Sequence, residues 1–174
     1  KWQKSINLIS TNSIKNILEI GTNLGVSGQY FIKALENKKN TKFVTLEGVK
    51  GLCEMASARF NRLTTQNRFE VVHGLYDKTL PSVLKSRIRF DLVFIDGNHQ
   101  YEATLKYFEL VKNNLTHGAL VIFDDIHWSK GMRKAWEEIG VQKEIAFSIN
   151  FFKLGIIVFD PKQIKPTHDH HQLF

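Results

Sequence analysis

The stretch Asn16-Ile17-Leu18-Glu19-Ile20-Gly21-Thr22-Asn23-Leu24-Gly25 decides the fold. Residues 16–20 form a short apolar run of the kind that makes a buried strand, closed by an acid and a glycine. Gly21 and Gly25, with Gly28 beyond, lead into residues 26–35, whose apolar spacing predicts a helix. The pattern then recurs outward. Residues 42–47 (KFVTLE), 69–72 (FEVV), 91–95 (DLVFI) and 119–123 (ALVIF) read as further buried strands. Between them Leu52, Met55, Ala56, Phe60 and Leu63 share one helical face, as do Tyr101, Leu105, Phe108 and Val111. Residues 80–84 and 132–139 supply two more helices, and 144–150 and 153–160 read as consecutive strands close enough for an antiparallel edge.

Repeated strand–helix alternation implies an α/β protein. The expected architecture is a Rossmann-like doubly wound sheet, mostly parallel, with an antiparallel edge strand near the C-terminus. With 174 residues and no repeat or linker, the chain reads as one domain, 1–174, with residues 1–15 as a lead-in helix and 161–174 as a tail. Apolar residues make up 43% and charged residues 24%, which excludes a disordered chain. No apolar run reaches the roughly 18 residues of a membrane span. A single cysteine, Cys53, excludes an internal disulfide and fits a reducing compartment, so a cytoplasmic location is expected. Cys53 falls on the apolar side of its helix and reads as core. Lys and Arg outnumber Asp and Glu by 24 to 17, but the lysines are scattered, which favours a solvated surface over a nucleic-acid footprint.

In such sheets ligands sit beyond the carboxyl ends of the strands. Here each parallel strand ends at or near an acid: Glu19, Glu47, Asp77 after Gly74, Asp96, then Asp124-Asp125. An acidic rim of this extent is the main functional signal. The loop at its centre is neither a dinucleotide fingerprint, since Asn23 stands where glycine is required, nor a P-loop, since no Gly-Lys-Ser/Thr follows. Its E-x-G-x-x-x-G spacing resembles motif I of class I S-adenosylmethionine-dependent methyltransferases. That resemblance implies a donor site on Glu19, Gly21, Thr22, Asn23 and Gly25, where the helix N-terminus meets the ligand's carboxylate and acids suit its amino group and sulfonium. A merely tight strand–helix turn is the plain alternative. Glu47 is then expected to accept the two ribose hydroxyls, against a plain surface glutamate, and Gly74 to flank the adenine. Leu75 stands where the family carries an acid directly after that glycine, which leaves backbone N–H groups or Asp77 for the base.

Asp96 at the fourth strand end and Asp124 and Asp125 at the fifth could converge. Unpaired, such carboxylates raise one another's pKa, and a hard divalent cation relieves the repulsion. Alternatively one caps a helix and another pairs with a lysine. Residues 16–160 resemble the class I methyltransferase fold throughout. The segments FIDGNHQYE and VIFDDIHW are similar to the bacterial group related to catechol-type and macrolide-sugar O-methyltransferases. The resemblance implies that Asp96, Asp124 and Asp125 hold Mg²⁺, with Asp125 where the catechol type has asparagine. It also implies that Asp96 adjoins the donor and that His99 is the general base. A helix-terminal His99 bonded to backbone is the alternative. His127-Trp128 could wall an acceptor pocket, packing being the plainer role for Trp128. Lys130 and Arg133 could attract an anionic acceptor, and the tail His168-Asp169-His170-His171 resembles a metal-binding tract.

The function implied is Mg²⁺-assisted transfer of a methyl group from S-adenosylmethionine to an oxygen of a small molecule. An RNA methyltransferase and a non-catalytic S-adenosylmethionine-binding module are the rivals. Neither nucleic acid nor membrane is expected as a partner, and a homo-oligomer is compatible with the residues.

Overall fold

The computed structural model describes residues 13–162 and the backbone of His171–Gln172. It divides after Phe90 into two compact units. In the first, β1 (Asn16–Ile20), α1 (Val26–Leu35), β2 (Lys42–Glu47), α2 (Lys50–Phe60), β3 (Phe69–His73) and α3 (Tyr76–Leu84) follow in order. β2 pairs in parallel with both β1 and β3, Ile17 lying opposite Phe43 and Leu46 opposite Val72. After its first residue β1 is buried throughout, and so is β2, as a parallel strand covered on both faces must be. Phe31, Phe43, Phe60 and Phe69 meet edge to face in a chain, with ring centroids 5.7, 5.7 and 5.5 Å apart. A Cβ on Gly28 would come within 2.5 Å of the Phe60 ring, so that glycine serves packing. Arg68 donates to the carbonyls of Leu35 (2.6 Å), Glu36 (3.1 Å) and Lys38 (2.8 Å) and to Thr41 Oγ1 (2.7 Å). Its guanidinium thereby satisfies carbonyls at the end of α1 that have no partner within the helix.

The buried stripe of α2 is Cys53, Ala56 and Phe60. Met55 and Leu63, expected on the core face, are exposed. The helix ends at Phe60, so Leu63 has left it, and Met55 lies about 100° around the helix from Ala56. Cys53 is core, as expected.

The second unit opens with β4 (Phe90–Ile95), whose first residue precedes the division. It continues with α4 (Tyr101–Val111), β5 (Leu115–Phe123), α5 (Lys130–Gly140), β6 (Ile145–Phe151), β7 (Leu154–Phe159) and the two-residue β8 (His171–Gln172). The strand order is β3-β2-β1 in the first unit and β4-β5-β7-β6-β8 in the second. The antiparallel strand expected near the C-terminus is β7; it lies between β5 and β6, antiparallel to both. Trp136 of α5 packs edge-on to Phe123 (5.9 Å) and covers Gly155 of β7.

Two elements begin four residues before their expected bounds. α3 begins at Tyr76 rather than residue 80 and carries Pro81 inside. β5 begins at Leu115 rather than residue 119, where Thr116 Oγ1 donates to Asp91 Oδ1 at 3.0 Å. Most of the expected lead-in helix, residues 1–12, and the histidine side chains of the tail lie outside the described residues. Among the described residues no helix is long and apolar enough to cross a membrane.

Candidate active site

In the first unit the β1–α1 loop is built around a buried carboxylate. Glu19 is fully buried; Ser27 Oγ donates to its Oε1, and Thr45 Oγ1 to its Oε2 at 2.6 Å. Because the Thr45 proton goes to Glu19, Thr22 Oγ1, 2.5 Å away, is the donor to Thr45 Oγ1. A buried carboxylate requires such donors. Glu19 and Thr22, expected at the donor site, are both buried, and their hydrogen bonds fasten the first turn of α1 to β2. The backbone N–H groups of Gly21 and Thr22 are likewise engaged, both donating to Leu46 O at 3.1 Å. Gly21 (φ 107°) and Gly25 (φ 71°) take left-handed conformations that favour glycine. A Cβ on Gly25 would also stand 3.0 Å from Ala56 and Phe60.

What the loop leaves outward is Asn23 and Leu24. Asn23 donates its N–H to Glu47 Oε2 at 2.8 Å, and Val49 donates to Glu47 Oε1 at 3.0 Å. The Glu47 carboxylate is thus fixed between the glycine loop and the start of α2, with a second lone pair left on each oxygen. Gly74 (φ 142°) donates to the Glu47 carbonyl at 2.9 Å, which brings the end of β3 alongside. Exposed Leu24, Val49 and Leu75 add apolar surface at the carboxyl ends of these three strands. Asp77, an expected alternative contact for the adenine, sits in the first turn of α3, where its charge complements the helix dipole.

Cys53 Sγ lies 3.6 Å from the Glu47 carbonyl. Burial, and secondarily the Glu47 charge, push its thiol pKa up. Thiol labelling with a disulfide reagent at pH 8 should therefore be slow in the native protein and complete in denaturant. Equal rates in both would contradict this placement.

In the second unit Asp96 follows β4, and His99 Nε2 stands 3.6 Å from Asp96 Oδ1, with both side chains about a third exposed. That separation is too long for a hydrogen bond but within ion-pair range. The left-handed backbone at Asn98 (φ 52°) and the Gln100 N–H to Asn98 O bond (2.6 Å) turn the chain back on itself here. His99 precedes α4 rather than lying in it. Tyr101, the first residue of α4, donates its hydroxyl to Glu138 of α5, 2.8 Å from each carboxylate oxygen. That bond pushes the phenol pKa up.

Asp124 N–H donates to Ile95 O at 3.0 Å, which joins the end of β5 to the end of β4. Asp125 is left-handed (φ 52°), and its carbonyl accepts the Trp128 N–H at 2.8 Å. Among the described residues no group of three or more His, Cys, Asp or Glu side chains could hold a metal ion. The expected Asp96, Asp124 and Asp125 cluster is therefore not assembled: the left-handed backbone at Asp125 turns the chain directly after β5. Trp128, expected to pack, is 73% exposed. Lys130 and Arg133 are exposed on α5. The sequence reading missed Ser27 and Thr45, which hold Glu19. It also missed Asn150 and Phe152, which contact His127. An aromatic pair in a strand-to-strand turn, Phe151-Phe152, was the signal available for the second set.

The methyltransferase domain family matches residues 18–126. An O-methyltransferase from Bacillus cereus, solved with S-adenosylhomocysteine, is 22% identical. It superposes with a TM-score of 0.75 over 90% of this chain and 80% of its own. The Streptomyces achromogenes O-methyltransferase TomG, involved in tomaymycin synthesis and solved with S-adenosylmethionine, is 20% identical, with a TM-score of 0.77 over 91% and 79%. The S-adenosylhomocysteine-bound Podospora anserina methyltransferase PaMTH1 is 18% identical, with a TM-score of 0.78 over 91% and 77%. At these identities the likeness is one of fold. No curated protein matches in sequence. The family match runs from β1 into the loop after β5 and so takes in the glycine loop, Glu47, Asp96 and His99; the chain belongs to the methyltransferase domain family and has the class I methyltransferase fold.

Proposed function

We propose that the protein transfers a methyl group from S-adenosylmethionine to a hydroxyl oxygen of a small molecule, with His99 as general base. The observation that carries the donor half is the Glu47 carboxylate, set at the end of β2 by the Asn23 and Val49 N–H groups with lone pairs to spare. Two adjacent ribose hydroxyls suit that acceptor pair, and exposed Leu24, Val49 and Leu75 suit the flat face of a purine. The donor set therefore fits the cofactor. Gly21, Asn23, Gly25, Glu47 and Gly74 bind it on this reading, while Glu19 and Thr22 hold the loop from beneath.

When bound, S-adenosylmethionine supplies an electrophilic methyl on a sulfonium. The chain's part is to align the acceptor oxygen and remove its proton. With Nε2 facing Asp96, His99 takes that proton on Nδ1, and the Asp96 carboxylate stabilises the imidazolium. An O–CH₃ bond forms as the S–CH₃ bond breaks. Both the three carboxylates and the resemblance imply Mg²⁺ assistance, but the residues expected to hold the ion are not gathered, and no step is routed through a metal. On the same reading the two units serve one catalytic domain in a reducing cytoplasm, which the single cysteine supports.

Calorimetric titration with S-adenosylhomocysteine should show saturable one-to-one binding. Glu47→Gln should weaken it by roughly 10- to 100-fold, because the amide puts an NH₂ against one backbone N–H and removes a charged acceptor. Unchanged affinity would remove Glu47 from the donor site. Binding without turnover on any hydroxylated acceptor would favour a non-catalytic module.

A further inference from the structure

Outside the donor loop and the Asp96–His99 pair, one exposed surface stands out: the β6–β7 turn. Phe152 is 72% exposed yet held in the left-handed region (φ 65°), an uncommon conformation for a bulky side chain. Its ring stacks on His127, with centroids 5.5 Å apart and planes 12° from parallel. Asn150 holds both partners. Its Oδ1 accepts the Phe152 N–H at 2.9 Å, and its Nδ2 lies 3.1 Å from His127 Nε2. Trp128 is exposed one residue on, and Phe151 is exposed beside Phe152. The two-residue β6–β7 turn accounts for a left-handed residue at this position but not for an aromatic one.

The turn is tied to the catalytic end of the sheet. β7 runs antiparallel to β5 with Phe123 opposite Gly155, so the β6–β7 turn emerges where β5 ends. The Ile126 N–H donates to Lys153 O at 3.1 Å, and the Asp124 N–H donates to Ile95 O, next to Asp96. Two backbone hydrogen bonds thus link the Phe152 turn, through the loop after β5, to the residue adjoining the proposed base pair.

We propose that Phe152, supported by His127 and Asn150, is the acceptor-selecting residue, and that the acceptor presents a flat aromatic ring that extends the stack. The proposal rests on the methyltransferase reading above. A ring laid on the open face of Phe152 continues an existing parallel stack and leaves the polar edge of the ring to face the rim. Rings stacked in this way gain beyond area burial, whereas saturated rings of the same size gain burial alone.

The test uses 2-naphthol and its saturated counterpart 2-decalol, titrated calorimetrically into the full chain in the presence of S-adenosylhomocysteine. Wild-type protein should bind 2-naphthol about tenfold more tightly than 2-decalol. Phe152→Gly suits the left-handed backbone and should keep the melting temperature and S-adenosylhomocysteine affinity of wild type. The same variant should erase the preference between the two rings. Equal affinities in wild type, or a preference that survives in Phe152→Gly, would overturn the proposal while leaving the methyltransferase reading intact. Failure to bind S-adenosylhomocysteine at all would instead overturn the reading on which it rests.

Discussion

His99→Ala should lower kcat by roughly 10²- to 10⁴-fold, the range a positioned general base commands, while S-adenosylhomocysteine affinity stays within about twofold of wild type. The split follows from where the groups sit. The proposed donor contacts lie in the first compact unit, at Gly21, Asn23, Gly25, Glu47 and Gly74, whereas His99 and Asp96 lie in the second. Removing the imidazole takes away the proton acceptor and leaves every hydrogen bond around Glu47 in place. The pH profile supplies a readout that a structural role would not move. A base must be unprotonated to act, so the acid limb of kcat should disappear in the variant. Turnover at the wild-type rate, or an acid limb that persists, would end the assignment.

The second large effect is on stability. Gly155→Ala should destabilise the fold by about 3 kcal/mol and lower the melting temperature by roughly 5–10 °C. A Cβ there would stand 2.6 Å from Trp136 Cε3 and 2.8 Å from Cη2, with Cζ3 nearer still. An indole cannot bend aside as a flexible chain end can. Trp136 is itself confined by Phe123, and Gly155 is paired on both flanks, to Phe123 and to Asn150. Thermal unfolding followed by circular dichroism measures the cost. A smaller residue at position 136 in the same chain should recover part of it, since the clash is with that ring. A melting temperature unchanged by the alanine would mean that the helix moves freely over the sheet.

Much of the fold could be read from residue order because buried parallel strands leave an unambiguous trace. ILEI, FVTLE and LVFI are mostly apolar where the sheet is covered on both sides, and the glycines between them mark the turns. Boundaries were harder to place. The apolar count starts α3 at Leu80, whereas backbone hydrogen bonding starts it at Tyr76, and Leu115 joins β5 although polar Thr116, His117 and Gly118 follow it. Side-chain direction was harder still. Glu19 lies in the right motif, but hydroxyls at Ser27 and Thr45, 8 and 26 residues away, decide that it points inward. The rim of acids could be seen along the chain; whether three of them converge depends on the backbone at Asp125, which no spacing rule encodes. The Asp96–His99 pair was legible because a three-residue separation across one tight turn leaves the two side chains few places to go.

The interior position of β7 has a consequence for synthesis. While the chain leaves the ribosome, β5 and β6 emerge before the strand that separates them, so β5 has only β4 beside it and β6 has no neighbour until residues 154–159 follow. During that interval the open margin of β5, with Val121, Ile122 and Phe123, offers unpaired backbone to any passing strand. A nascent chain stalled in the hairpin would thus be a substrate for chaperones rather than a shorter methyltransferase.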